Sequence, residues 1–111
     1  MKIIWVVRPA EGGILHHLKQ LLNGIPDLEI VVVAPAALRE WAGDRRFISL
    51  DLADGLHLRR DIAASRILRR LLRQEQANIV HAHGLKAALV TAAALAPMRH
   101  PCFLFTAHNS D

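Results

Sequence analysis

Short apolar runs and longer amphipathic segments alternate along this chain. Five runs are mostly apolar on both faces of an extended backbone, a pattern typical of buried β-strands. The predicted strands cover Ile3 to Val7, Leu28 to Ala34, Phe47 to Leu50, Ile79 to Ala82 and Cys102 to Thr106. The segments between them carry apolar residues at helical spacing. The predicted helices cover Ile14 to Leu22, a short stretch through Leu38 and Trp41, Leu58 to Gln76, and Leu85 to Ala96.

This alternation predicts the fold class. Strands that alternate with helices form a parallel sheet covered on both sides. We expect an α/β fold, a Rossmann-like doubly wound parallel sheet of about five strands in the order 3-2-1-4-5. In the longest helix, the predicted buried stripe consists of Ala64, Ile67, Leu68, Leu71 and Leu72. The 111 residues suffice for one domain, because domains usually hold about 100–150 residues.

Composition and charge narrow the range of possible functions only slightly. The chain is 52% apolar and 22% charged, as in folded globular proteins. Its net charge of +4 is compatible with nucleic acid, anionic lipid or phosphorylated ligands and selects none of them. Arg8 interrupts the first apolar run, whereas a secretory signal needs a longer one. The single Cys102 cannot form an internal disulfide, and its apolar neighbours predict a buried thiol. These features predict a cytoplasmic protein.

Glycines, imidazoles and an amide follow three of the predicted strands. Strand one leads into Glu11-Gly12-Gly13, strand four into His81-Ala82-His83-Gly84, and strand five into Thr106-Ala107-His108-Asn109. Ligands of open parallel sheets bind beyond the carboxyl ends of the strands, where the strand order reverses. In the order 3-2-1-4-5 this crevice lies between strands one and four, so these residues are predicted to line it.

Gly12 and Gly13 lie where a helix is predicted to begin. The backbone N–H groups at a helix N-terminus attract phosphate, and glycine allows phosphate to approach closely. The pattern lacks the full G-x-G-x-x-G fingerprint of a dinucleotide site. A tight turn without a ligand is an equal alternative.

The histidines at the strand ends are compatible with several roles. His81 and His83 are two residues apart on a strand and therefore point to the same side of the sheet. With His108 they could hold zinc, but almost no other metal ligand accompanies them, so we predict no metal. We expect His81, the more internal, to be structural, and His83, next to Gly84, to contact a ligand. His108 can exchange a proton near neutral pH, or it is an ordinary loop residue.

Three stretches together resemble the N-terminal domain of GT-B glycosyltransferases of family 4 (group 1). They are residues 3–13, 79–87 and 105–109. The resemblance implies transfer of a sugar from a nucleotide-diphospho-sugar, the co-substrate, to an acceptor hydroxyl. It also implies retention at the anomeric carbon and no metal or other cofactor.

The resemblance also implies roles for individual residues. It assigns Gly12 and Gly13 to the donor diphosphate and His108 to catalysis near the transferred sugar. The residues implied to line the acceptor side of the cleft are Glu11, His83, Gly84 and Asn109. We expect this chain to lack the donor-binding C-terminal domain of the family and the last strands of its N-terminal domain. We therefore expect residues 1–111 to be a partial N-terminal Rossmann-like domain that is inactive alone.

The same residues are compatible with two other function classes. One is a free-standing module that binds a nucleotide or phosphorylated ligand in the same crevice. The other is a metal-dependent hydrolase built on His81, His83 and His108.

The expected partners are a nucleotide-sugar and a carbohydrate or lipid-linked acceptor, without nucleic acid. Four arginines are predicted to share the helix face opposite the leucine stripe: Arg66, Arg69, Arg70 and Arg73. They form either a solvated face or a contact with anionic lipid at the inner membrane surface. Strand five is predicted to be an exposed edge in this chain. We expect a homodimer, formed by pairing of strand five with a second copy or by exchange of terminal elements.

Overall fold

Five parallel strands form the centre of the fold. The structure is a computed structural model that describes residues 2–8, 19–20, 24, 29–52, 57–99 and 102–106. The strands are β1 (Lys2–Val7), β2 (Glu29–Ala34), β3 (Arg46–Ser49), β4 (Ile79–His83) and β5 (Cys102–Thr106). Their order is β3-β2-β1-β4-β5, and each neighbouring pair is parallel. The predicted order 3-2-1-4-5 is confirmed.

Helices connect the strands, as the alternation predicts. In the described part of the chain they are α1 (Arg39–Ala42), which follows a 3-10 turn (Ala36–Leu38), α2 (Leu58–Glu75) and α3 (Leu85–Leu95). Helix α2 ends at Glu75 and is capped by Gln76. The N–H of Gln76 donates to the carbonyl of Leu72, and its left-handed φ of 52° turns the chain out of the helix. Lys19 and Gln20 are helical, and the remainder of the predicted helix Ile14 to Leu22 lies outside the described residues. None of the described helices is long and apolar enough to cross a membrane.

The two faces of the sheet enter separate apolar clusters, because successive strand residues point to opposite faces. On one face, strand residues pack against α2 and α3, with Ile4, Val6, Val31, Val33, Val80 and Ala82 at the centre. On the other face, α1 and the turn before it cover a second cluster around Trp5, Val7, Ile30, Val32 and Ala34. Both faces are therefore buried, which explains why the central residues of the strands are mostly apolar on both faces.

The buried stripe of α2 differs from the prediction at one position. Ala64, Leu68 and Leu72 are buried, and Leu71 packs partly against the same cluster. Ile67 is 47% exposed, so its place in the predicted stripe is wrong. The buried residues repeat every four positions, and Ile67 precedes Leu68 by one residue. It is therefore turned by about 100° away from the sheet.

Cys102 also differs from the prediction. Its thiol is exposed, whereas the apolar neighbours suggested a buried one. Cys102 is the first residue of β5, which stands at the end of the strand order. Only β4 flanks this strand in the described part of the chain, so an apolar sequence does not by itself bury the thiol.

An ion cluster ties the beginning of the chain to the end of α2. The Nζ atom of Lys2 lies 3.1 Å from Oε1 of Glu75, and Nη2 of Arg46 lies 2.8 Å from Oε2 of the same carboxylate. The backbone N–H of Lys2 also donates to Oδ1 of Asn78 at 2.9 Å. These contacts hold β1 against the segment that leads into β4.

Candidate functional site

The carboxyl ends of β1, β4 and β5 lie side by side. Val7 is paired in register with His83, and His83 with Thr106. The strands are parallel, so the chain leaves all three at the same edge of the sheet. The segment that follows Val7 contains Glu11, Gly12 and Gly13, and the one that follows Thr106 contains His108 and Asn109. All five of these residues lie outside the described part of the chain, so their roles remain predictions.

Three aromatic rings form a cluster just below this edge. The ring centroids of His81 and His83 are 4.1 Å apart, and those of Trp5 and His83 are 4.3 Å apart. Trp5 and His81 meet edge to face, with centroids 6.0 Å apart. The shared orientation expected for the two histidines is therefore present, and contact with the indole fixes their rings.

The order of burial of the two histidines is the reverse of the prediction. His83 is only 3% exposed, whereas His81 is half-buried. The reason is the length of β4, which continues to His83 instead of stopping at Ala82. His83 is thereby held between β1 and β5, and its contact with a ligand remains a prediction.

Gly84 makes the turn from β4 into α3. Its φ of 96° and ψ of 158° lie in a region that side chains rarely adopt, and glycine is the residue that enters it without strain. A Cβ atom at this position would meet no atom within 4 Å, so the backbone conformation, not crowding, requires the glycine. The turn points the N-terminus of α3 at the edge where the strands end.

A partly buried ion pair joins α2 to α3 close to this edge. Nζ of Lys86, in the first turn of α3, lies 2.7 Å from Oδ2 of Asp61, in the first turn of α2. The hydrogen bond and the charge of Lys86 lower the pKa of the Asp61 carboxyl below its usual value. Sequence reasoning assigned no role to either residue. The sequence does contain a sign of this ion pair. An acid and a base lie in the first turns of two helices, and both helices begin at the carboxyl edge of the sheet.

We expect Asp61→Asn to destabilise the fold at neutral pH by roughly 1 kcal/mol, because it removes a charged hydrogen-bond partner of a buried lysine. A carboxyl whose pKa is lowered by folding stabilises the protein above its unfolded pKa, about 4. This contribution disappears as the pH falls through the folded-state pKa. Urea unfolding at several pH values should therefore show the difference between wild type and variant shrinking in acid.

The matched control for this prediction is Asp51→Asn. Asp51 pairs with Arg60 at 2.8 Å, but both side chains are mostly exposed, and such pairs contribute little. Equal losses in the two variants, or a difference that does not depend on pH, would contradict the role of the Lys86–Asp61 pair.

One surface groove lies away from the carboxyl edge. It has a volume of about 450 Å³ and is lined by Lys19, Ala42, Gly43, Asp44 and Arg45. The last three of these residues directly precede β3, so the groove opens near the amino edge of the sheet. It is therefore separate from the predicted crevice.

The described residues contain no group of three or more His, Cys, Asp or Glu side chains that could hold a metal ion. His81 and His83 contact each other, but His108, the third member of the hydrolase alternative, lies outside the described part. In the described part of the chain, the ring cluster consists of the imidazoles of His81 and His83 packed on the indole of Trp5.

Two solved structures share this fold. One is MurG from Acinetobacter baumannii, with a TM-score of 0.70 and 12% identity over 95% of this chain and 34% of that one. The other is the UDP-GlcNAc 2-epimerase of Methanocaldococcus jannaschii, with a TM-score of 0.60 and 13% identity over 89% of this chain and 29% of that one. The chain thus spans about a third of the length of each. No match was found among curated proteins.

The sequence also matches a family model over most of its length. The model describes Glycosyltransferase Family 4 and covers residues 11–111, which include the second and third of the three stretches that carry the resemblance and the end of the first. Together with the sheet order and the two structural neighbours, this match confirms the predicted likeness to an N-terminal GT-B domain. The chain belongs to glycosyltransferase family 4.

Proposed function

We propose that this chain is the acceptor-side domain of an enzyme that moves a sugar from a nucleotide-diphospho-sugar to an acceptor hydroxyl. The observation that carries the proposal is the family match over residues 11–111. The meeting of the carboxyl ends of β1, β4 and β5 supports it, because ligands of such sheets bind at that edge.

The proposed donor is a nucleotide-sugar. Support comes from the structurally similar epimerase, whose name states that it acts on UDP-GlcNAc. In the proposed complex, backbone N–H groups of Gly12 and Gly13 bind the donor diphosphate, because a helix N-terminus favours negative charge. The nucleotide-diphospho-sugar is the co-substrate, and the proposed transfer proceeds with retention and without a metal ion or other cofactor.

The proposed acceptor site lies on the same edge and involves Glu11, His83, Gly84 and Asn109. The acceptor is a carbohydrate or a lipid-linked sugar. Because His83 is packed between β1 and β5, we expect it to fix the shape of the acceptor side and to present only the edge of its ring.

A second domain is proposed to provide most donor contacts. The chain covers only 34% and 29% of its two structural neighbours, which leaves room for such a domain in an enzyme of their size. In this proposal, the 111-residue chain alone is inactive.

The test is transfer of a labelled sugar from a panel of nucleotide-sugars by the enzyme that contains this domain, before and after substitution of His108. Transfer that depends on His108 supports the proposal. Nucleotide binding by the protein that contains this domain, without transfer from any of the nucleotide-sugars, would instead support the binding module.

We also expect the 111-residue chain to form a homodimer through β5. Cys102 and Leu104 are exposed on this strand, and it carries no charged residue or proline inside it to discourage pairing. Light scattering at micromolar concentration should give the mass of two chains, and Leu104→Lys should shift it towards one. Leu89→Lys, on a helix, is the control that keeps the dimer. A monomer mass for the unmodified chain would contradict this prediction.

A further inference from the structure

The outward face of α3 is apolar. Leu85 and Leu89 are 67% and 59% exposed, and Ala92 and Ala93 on the same side of the helix are also exposed. The one charged residue of α3 is Lys86, which is buried against Asp61. A helix that faces water usually carries polar residues there, so this face is unusual for a solvated surface.

Helix α2 extends the apolar surface on one side. Asp61 contacts Lys86, and Nε of Arg69 donates to the carbonyl of Ala94 at 2.9 Å. Residue numbers thus increase in the same direction along both helices, which lie side by side. Leu58, 68% exposed, and Ile62, also exposed, therefore stand at the same end as the two leucines of α3. We call Leu58, Ile62, Leu85 and Leu89 the apolar patch.

A row of arginines continues from this patch along α2. Arg59, Arg66, Arg70 and Arg73 are exposed and separated by seven, four and three residues, so they share one helix face. This face lies opposite the buried stripe. We call these four residues the arginine row. A groove of about 340 Å³ runs beside it, lined by Arg66, Arg69, Arg70, Arg73 and Gln74.

The structure refines the prediction that Arg66, Arg69, Arg70 and Arg73 form one solvated face. Arg69 is half-buried, and its guanidinium donates to the carbonyls of Ala93 and Ala94. It therefore binds the C-terminal end of α3, where a positive charge is favourable, while the other three are exposed.

The positive charge of the arginine row is not neutralised by the acids of its own helix. Helix α2 contains two of them. Asp61 is bound to Lys86, and Glu75 is bound to Lys2 and Arg46. Both carboxylates point away from the outer face, so the row presents several positive charges to the surroundings.

We propose that the outer surface of α2 and α3 binds an anionic membrane. The arginine row contacts lipid phosphates, and the apolar patch inserts its side chains between the headgroups. The charge favours an anionic partner, and the exposed leucines beside it favour a lipid surface, into which apolar side chains insert, over the phosphate backbone of nucleic acid. The proposed surface therefore lies at the membrane interface and does not cross the membrane.

The position of the apolar patch indicates a role for membrane binding, and this role rests on the proposed function. Leu85 follows Gly84 directly, so the patch begins at the edge where β1, β4 and β5 end. A lipid-linked acceptor held in the bilayer would therefore reach the proposed acceptor side without leaving the membrane. The binding itself needs neither nucleotide-sugar nor turnover, so its failure would leave the transfer assay unaffected.

Sedimentation with vesicles tests the proposal. We expect the 111-residue chain to bind vesicles of phosphatidylcholine with phosphatidylglycerol, and to bind phosphatidylcholine alone weakly. Each arginine near an anionic surface contributes about fivefold to the affinity. Arg66→Gln/Arg70→Gln should therefore weaken binding by about 25-fold. Arg39→Gln/Arg45→Gln removes the same charge from the opposite face of the sheet and should have little effect.

A second pair of variants tests the apolar patch. Leu89→Ser should weaken binding to the anionic vesicles severalfold, and this loss should persist at high salt because it is not electrostatic. Leu104→Ser, at an exposed leucine of β5, is the control that keeps binding. Three results would overturn the proposal: equal binding to both kinds of vesicle, no binding to either, or equal losses in the two arginine pairs. Binding to DNA without binding to vesicles would show that the partner of this surface is nucleic acid and not lipid.

Discussion

Replacing His108 with alanine is expected to lower the turnover of the enzyme that contains this domain by about a hundredfold or more, the usual scale for a positioned proton-transferring side chain. His108 follows Thr106 by two residues, and Thr106 is paired in register with His83 at the carboxyl edge. The reaction centre is proposed to lie at that edge. Steady-state transfer of a labelled sugar gives kcat and KM separately, and the loss should be mainly in kcat.

His100→Ala is the matched control for this variant. It removes the same ring two residues before β5 begins, whereas His108 follows the end of that strand, and it should leave turnover unchanged. Circular dichroism should show that both variants fold. If His108→Ala kept near-normal turnover, the catalytic role of this residue would be wrong.

Leu68→Ala is expected to lower the free energy of unfolding by about 2–5 kcal/mol, the range for truncating a large buried side chain. Leu68 is completely buried and belongs to the cluster between α2 and the sheet. The substitution leaves a cavity that the parallel strands beneath it cannot close. Urea unfolding followed by circular dichroism measures the loss directly.

Ile67→Ala tests whether the loss of stability in Leu68→Ala comes from the burial of that position and not from the type of residue removed. Ile67 is the neighbour of Leu68 and of similar size, but it faces outward. Exposed substitutions usually change stability by no more than about 0.5 kcal/mol. Comparable losses at both positions would place Ile67 in the core and restore the stripe that the sequence suggested.

The strand order could be predicted because it depends on features that repeat along the chain. Runs that are apolar on both faces require a sheet covered on both sides, and helices between parallel strands satisfy that requirement in few ways. The same reasoning predicted that the glycines, imidazoles and amide follow the ends of three strands. The structure brings the ends of those strands, β1, β4 and β5, to one edge, while the glycines, His108 and the amide lie outside the described residues.

The differences arise where a side chain depends on its neighbours in space. Ile67 fits a helical repeat, but a rotation of one residue carries it away from the sheet. Cys102 has apolar neighbours in sequence, yet its strand has only one neighbour in the described sheet. His83 is buried because β4 is one residue longer than the apolar run suggests.

The Lys86–Asp61 pair shows a second reason why the sequence alone does not predict every contact. Each residue alone is typical of a helix surface, and only the packing of α2 against α3 brings their charged atoms to 2.7 Å. The distance between two helices depends on all the side chains at their interface. A pattern along one helix therefore does not reveal it.

The central position of β1 has a consequence for synthesis on the ribosome. This first strand needs partners on both sides, and β4 begins only at Ile79. Ribosomes add about 5–20 residues per second, so β1 waits roughly 4 to 15 s for its second partner to be made. During that interval one edge of an apolar strand is open to the wrong partners. The nascent chain is therefore expected to depend on chaperones more than a segment of the same length built from neighbouring hairpins.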